Sequence, residues 1–343
     1  MYYSKRFLLS TFLVTSIFFS TSAQEVKKCG IFEATVRTFG LTPESLQNQF
    51  ESYSQLERET ELYNNSGLRA DIITIPVVFH VIHNNGPENI SASQIHDALG
   101  VVNRDFNALN EDIDQVVSAF ADIIGDVQIQ FRLARKDPNG ICHSGINRIV
   151  SGETYIGGED MKLLIQWPRN KYLNVWVCSE AAGAAGYSLY PSSVNGSNNS
   201  DMDGIVIQGS YTGSIGTSNN FRSRVLSHEI GHWLNLRHLW GNSNNPGEED
   251  NCDGDDNVSD TPNSKGWTVC NLEGISCGSL DNVQNYMEYA YCGRMFTEGQ
   301  KTRLRAAALS TVAQRNQLST QSNLIATGVE GNPALCESTF SVD

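Results

Sequence analysis

The apolar and polar positions divide the chain into stretches of different character. Lys5 and Arg6 precede an apolar run from Phe7 to Phe19, and Thr21-Ser22-Ala23 follows it. A basic flank, an apolar centre and small residues at the cleavage-defining positions make residues 1–23 a secretory signal peptide. From Gln24 to about Arg69 the chain is polar, with a helix-compatible piece near Ser45 to Leu62 and a loop at Asn64-Asn65-Ser66-Gly67. Little in that stretch is suited to form a core. At Asp71 the pattern changes, and Ile72-Ile73-Thr74-Ile75-Pro76-Val77-Val78-Phe79-His80-Val81-Ile82 reads as a buried strand, with Pro76 limiting how early central pairing begins. Ser91 and Gln94 form a capping box before a helix whose apolar face is Ile95, Leu99, Val102 and Phe106. Strand-like runs follow at 127–133, 172–178 and 204–208. From Gly241 to Asp281 periodicity disappears and Asn, Asp, Gly and Ser dominate, so something other than secondary structure must hold that stretch. Thr297 and Gln300 make a second capping box before a helix to about Val312. Strands mixed with helices predict an α+β fold.

Composition narrows the function. The chain of 343 residues is 40% hydrophobic and 18% charged, the balance of a globular protein. Its net charge of -14 excludes a nucleic-acid partner, whose phosphates require a basic field, and favours cations. Beyond the N-terminus no apolar run approaches the roughly 18 residues that span a bilayer, so no membrane insertion is expected. Eight cysteines (Cys29, Cys142, Cys178, Cys252, Cys270, Cys277, Cys292 and Cys336) in an exported chain imply disulfides, whose pairing the sequence alone does not give.

The chemistry lies in FRSRVLSHEIGHWLNLRH, residues 221–238. In a helix His228 and His232 stand one turn apart on one face, so both imidazoles can reach one ion, and zinc suits such ligands. Glu229 is rotated away from the first ligand, close enough to take a proton from a metal-bound water without occupying the metal. His238 lies too far along an uninterrupted helix to join them, about 15 Å on, so the helix must end after His232. Asn235 sits at the turn-back, where a left-handed residue is required and asparagine is tolerated. Three protein ligands leave a zinc position open to water, the arrangement of a hydrolytic site suited to amide bonds.

H-E-x-x-H-x-x-N-x-x-H followed by Asn285-Tyr286-Met287-Glu288-Tyr289 resembles the metzincin metallopeptidases, and within them the pappalysin family, closest to its short ulilysin-like members. The resemblance covers roughly residues 70–315, and metzincins usually carry Gly where this chain has Asn235. It implies a two-subdomain α+β fold, with a twisted sheet and helices first and an irregular, disulfide-stapled half with one long helix second. It makes Met287 the Met-turn residue under the histidines and Tyr289 a donor to the tetrahedral oxyanion. It makes Gly204–Gln208 the edge strand that aligns substrate, and pairs Cys252 with Cys277 and Cys270 with Cys292. By count, Cys142–Cys178 is a third bridge. The resemblance places calcium at the acidic run that includes Asp253, Asp255, Asp256, Asp260 and Thr261. Lys28-Cys29-Gly30 resembles a cysteine switch, in which a thiolate fills the open zinc position; the alternative is a Cys29–Cys336 disulfide. Several ulilysin-like enzymes cut before basic residues, which makes Leu68–Arg69 the expected processing bond, although Tyr291 stands before Cys292 where those enzymes carry an acidic residue that helps select Arg.

The expected layout is a signal peptide (1–23), a propeptide (24–69), a catalytic domain (70–320, subdomains about 70–235 and 236–320) and a C-terminal tail (321–343). The expected function is a secreted, monomeric zinc endopeptidase made as a zymogen, acting on protein or peptide substrates with Glu229 as general base. A zinc- and calcium-stabilised binding module without catalysis and a hydrolase of non-peptide amides are the alternatives.

Overall fold

The computed structural model describes residues 27–39, 42–66, 71–196, 200–241, 243–331 and 336. The expected signal peptide, the Leu68–Arg69 bond and most of the end of the tail lie outside them. Among the described residues no helix is long and apolar enough to cross a membrane.

Strand β1 (Ile73–His83) is buried along its whole length and organises the main sheet. β2 (Ile129–Leu133) pairs with its first half and β3 (Ile146–Val150) with its second, both parallel. On the other side β1 meets β4 (Leu173–Cys178), beginning at Val77. Ile73 N donates toward β2 and Phe79 N toward the β3 side, so by the alternation of a strand the missing N–H of Pro76 faces the β4 side just before pairing starts there. Odd residues of β1 pack on Ile95, Leu99 and Val102 of α1 (Ala92–Asp105) and on Phe106, which caps it. Ser91 caps this helix by accepting from Gln94 N, but the Gln94 amide donates to the Gly209 and Thr212 carbonyls instead of returning to Ser91, so the box is half formed.

The sheet continues from β4 through β5 (Ile205–Gln208) to β6, which comes earlier in the chain (Gly186–Ser188). This corrects the edge-strand assignment: Gly204–Gln208 supplies an interior strand, buried at every position as an interior strand should be, and the edge is Gly186–Ser188, antiparallel to it. Three residues including a glycine carry no strand periodicity, which is why the sequence pattern passed over them.

The second half holds little regular structure until the helix Glu298–Leu309, called α2 here, where Thr297 and Gln300 form the complete capping box. It ends three residues before the expected Val312. Cys252–Cys277 and Cys270–Cys292 are bonded across the irregular stretch. The third bridge is Cys142–Cys336, not Cys142–Cys178. Cys178 lies wholly buried inside β4 with its thiol donating to Glu180 O at 3.0 Å, and Cys29 is free as well. Cys142, in a loop, is met by the tail, where Arg135 and Lys136 N–H groups donate to Thr327 O at 2.9 and 3.0 Å.

The N-terminal segment forms two helices, α3 (Ile31–Phe39) and α4 (Pro43–Asn65). Against expectation it contributes to the core: Ile31, Ala34 and Leu56 are buried. They are too few to make a core of their own, and they pack into the clusters built by residues 73 onward. Glu57 binds Arg303 of α2, whose guanidinium is 1% exposed and whose Nε donates to Asn235 O at 2.7 Å.

Candidate metal centre

The helix α5 (Val225–Trp233) carries His228, Glu229 and His232 on buried positions. It stops because Asn235 adopts φ 72°, with Leu236 N donating to Gly231 O at 2.8 Å and Asn235 N to His232 O at 2.9 Å, a Schellman ending. The chain reverses and brings His238 back, so its Nε2 stands 3.1 Å from that of His232, which is also 3.1 Å from that of His228.

The other nitrogen of each ring is committed. His228 Nδ1 meets Tyr286 O at 2.8 Å, His232 Nδ1 meets Leu236 O at 2.7 Å, and His238 Nδ1 meets Ser243 O at 3.3 Å. A carbonyl only accepts, which assigns Nδ1 as the protonated nitrogen in all three. Burial holds His228 neutral, its pKa lowered to about 4, and burial with the neighbouring imidazoles lowers His232 and His238 further. Three Nε2 lone pairs therefore face one another, which is repulsive unless a cation lies among them. Zinc bonds of about 2.0–2.1 Å in tetrahedral geometry separate ligand nitrogens by roughly 3.3 Å, so these residues fit zinc.

Glu229 is fully buried; its backbone carbonyl accepts from Ser188 Oγ at 2.9 Å, and Oε1 has no partner. Burial raises its pKa to about 8 despite hydrogen bonds from Cys29 and Ser188. Cys29 Sγ donates to Glu229 Oε2 at 3.5 Å, and among the described residues Cys29, His228, His232 and His238 are the one group whose ligand atoms converge as for a metal, all within 4.8 Å. Burial, then the Glu229 carboxylate, pushes the thiol well above its ordinary pKa, a balance that a cation at the imidazoles reverses. The thiol is delivered by residues 27–30, whose backbone bonds the edge β6: Ala185 N donates to Lys28 O at 3.1 Å and Gly30 N to Gly186 O at 3.0 Å.

Met287 packs against α5 at Gly231, so close that a Cβ there would stand 2.4 Å from its sulfur. Its loop is tied to α2 through Asn285, whose Nδ2 donates to Gln300 Oε1 at 2.8 Å. The Tyr289 ring stands edge-on to His238 with centroids 4.9 Å apart. The cleft beside the histidines is lined by Ala185, Val225, Tyr286 and Tyr289 and filled from one side by Cys29.

The acidic run is dispersed. Asp253 and Asp255 are exposed, and Asp260 accepts from Thr297 Oγ1 at 2.6 Å and Gly299 N at 2.8 Å, supporting the start of α2. Asp256 is buried, taking Thr261 Oγ1 at 2.8 Å on one oxygen and leaving Oδ2 without a partner. Sequence reasoning missed Ser188, Asn244 and the Glu57–Arg303 pair. None has a local signature, since each meets its partner from a distant part of the chain.

A family model described as pregnancy-associated plasma protein-A, the peptidase M43 family, matches residues 159–309. Among solved structures, mature mirolysin of Tannerella forsythia in complex with a cleaved peptide is 33% identical, covering 75% of this chain and 99% of that one at a TM-score of 0.66. A promirolysin mutant from the same organism is 30% identical, covering 90% of this chain and 100% of that one at a TM-score of 0.73. An extracellular metalloprotease of Arthroderma otae is 26% identical over 286 residues, 81% of this chain and 92% of that protein. With 33% identity spanning nearly the whole of mature mirolysin, the chain belongs to the pappalysin family of metzincins and is a zinc metalloendopeptidase.

Proposed function

We propose that the chain is a secreted endopeptidase made as a zymogen, with His228, His232 and His238 holding zinc, Glu229 as general base, Tyr289 as oxyanion donor and Cys29 as the blocking thiol. The observation that carries this reading is the convergence of three Nε2 atoms whose Nδ1 partners are fixed, with the Cys29 sulfur and the Glu229 carboxylate beside them. Zinc, when bound, supplies Lewis acidity toward water and toward the scissile carbonyl. Glu229 takes the proton of the attacking water and passes it to the leaving amine. Tyr289 donates its phenolic hydrogen to the oxygen that becomes negative. Met287 supports the histidine floor by packing. Extended peptide adds to the edge β6, which residues 27–30 cover here.

Latency is supported by the comparison: the promirolysin match reaches 90% of this chain and the mature mirolysin match 75%, the difference expected when this chain still carries a prosegment. Relatives named extracellular metalloproteases support export. Peptides are the proposed substrates, in line with the cleaved peptide in mature mirolysin. Calcium is proposed at Asp256, whose unpartnered buried oxygen is the kind of atom a hard cation satisfies; of the other expected ligands Thr261 touches it, whereas Asp253, Asp255 and Asp260 do not converge there.

The test is peptide cleavage by protein freed of residues 24–69, with and without a zinc chelator. Cleavage abolished by the chelator and restored by zinc is expected, and Glu229→Ala should lower kcat by 10² or more, the scale of a lost general base. A loss under about tenfold removes Glu229 from that role. Cys29→Ala should give the uncut chain basal activity, and unchanged latency removes the thiol from the inhibition.

A further inference from the structure

Asn244 is 9% exposed and follows directly on the turn that orients the third imidazole. The Ser243 carbonyl accepts from His238 Nδ1 at 3.3 Å and from Trp240 Nε1 at 2.7 Å, so the backbone just before Asn244 is held from two sides. Its side chain then meets two partners. Oδ1 accepts from the Tyr289 phenol, and Nδ2 donates to Cys29 O at 2.9 Å and to the Glu33 carboxylate at 3.0 and 2.9 Å.

The phenol has one hydrogen and a second acceptor in reach, the Cys29 carbonyl at 3.4 Å. Removal of the N-terminal segment takes away that carbonyl, which is also a partner of Nδ2, together with Glu33, the other partner. Asn244 then keeps its hold on Tyr289 and turns a freed N–H donor toward the cleft, where a main-chain carbonyl can take the place of the lost one. An extended peptide added to β6 offers carbonyls in that place, because the Cys29 carbonyl belongs to a stretch already bonded to Ala185 and Gly186.

We propose that Asn244 serves the mature peptidase in two ways: Oδ1 aims the Tyr289 hydroxyl, and Nδ2 holds a main-chain carbonyl of the substrate. The proposal rests on Tyr289 being the oxyanion donor. An asparagine suits both tasks, since one short planar amide carries an acceptor and two donors at fixed separation. Asn244 is thus a positioning residue for Tyr289 and a binding residue for peptide.

The experiment measures kcat and KM on one peptide for activated wild type, Asn244→Ala, Tyr289→Phe and the double variant, with zinc content and melting temperature alongside. Tyr289→Phe should lower kcat by about 10². Asn244→Ala should lower kcat by about tenfold and raise KM by about fivefold, with zinc content unchanged. In the Tyr289→Phe background Asn244→Ala should leave kcat within about threefold while KM still rises. Asn244→Ser, too short to span both partners, gives the same readouts if the alanine variant does not fold. An Asn244 variant with wild-type kcat and KM beside an impaired Tyr289→Phe overturns the proposal alone. An equal loss of kcat in both backgrounds overturns the positioning role. A Tyr289→Phe enzyme with wild-type kcat overturns the reading of Tyr289 itself.

Discussion

A histidine ring can point either nitrogen at a ligand, and in this centre the backbone decides. Tyr286, Leu236 and Ser243 each present a carbonyl to one ring, so the three Nε2 atoms are turned inward before any ion arrives. The floor below is packed as tightly. Gly231→Ala puts a methyl group into the Met287 sulfur and should destabilise the protein by about 1–3 kcal/mol, read as a lower midpoint in urea. Glu288 offers a pH test away from the imidazoles. Its carboxylate accepts from Trp267 N at 2.9 Å and Tyr289 N at 3.0 Å, and burial raises its pKa to about 8. The folded state therefore keeps a proton that the unfolded chain releases, so its contribution to stability is present below the unfolded pKa of about 4.5 and is lost as pH rises to about 8. Glu288→Gln should flatten that fall, and parallel slopes for the two proteins from pH 5 to 8 would count against it. At this scale the residues legible in the sequence were those whose partners are set by a local spacing, as His228 and His232 are by one helical turn. Asn244 and Ser188 reach their partners across 45 and 41 residues, a separation no local pattern records.

Among the elements, α5 was read with its ending because the third histidine forbids a longer helix and Asn235 supplies the reversal. The edge strand was misplaced because apolar runs mark strands buried on both sides, whereas an edge beside a cleft is short and admits glycine for close approach. Gly186 is such a case: a Cβ there would meet Val206 O at 3.0 Å and Glu229 Cγ at 3.2 Å. The helix α4 was legible as a helix but not as a partner of the domain. Its Glu57 answers the buried Arg303, and α2 receives it beside the backbone of Asn235. Glu57→Gln should lower the stability of the uncut chain by about 1–3 kcal/mol, discounted for the partial exposure of the carboxylate. Denaturant unfolding of the uncut chain checks this, and a wild-type midpoint in the variant would count against the pair.

Across the whole molecule the α+β class and the irregular second half were legible from periodicity and from its loss, whereas the cysteine pairing between distant segments was not. Cys142 and Cys336 are 194 residues apart, and their bond ties the tail to the loop after β2. Replacing both by serine should cost about 2–5 kcal/mol of stability, measured as a shift in guanidinium midpoint. Opening Cys270–Cys292, which ends next to Tyr291, should disturb cleavage as well as stability.

The N-terminal stretch bonds the backbone at Ala185 and Gly186 through Lys28 and Gly30 and coils into α3 at Ile31. With Cys29 beside the three imidazoles and the strand edge covered, on the zymogen reading no molecule can trim its own leader while that leader is seated. Maturation is then an encounter between two molecules, slow to begin when the protein is dilute and self-accelerating once the first copies have been freed.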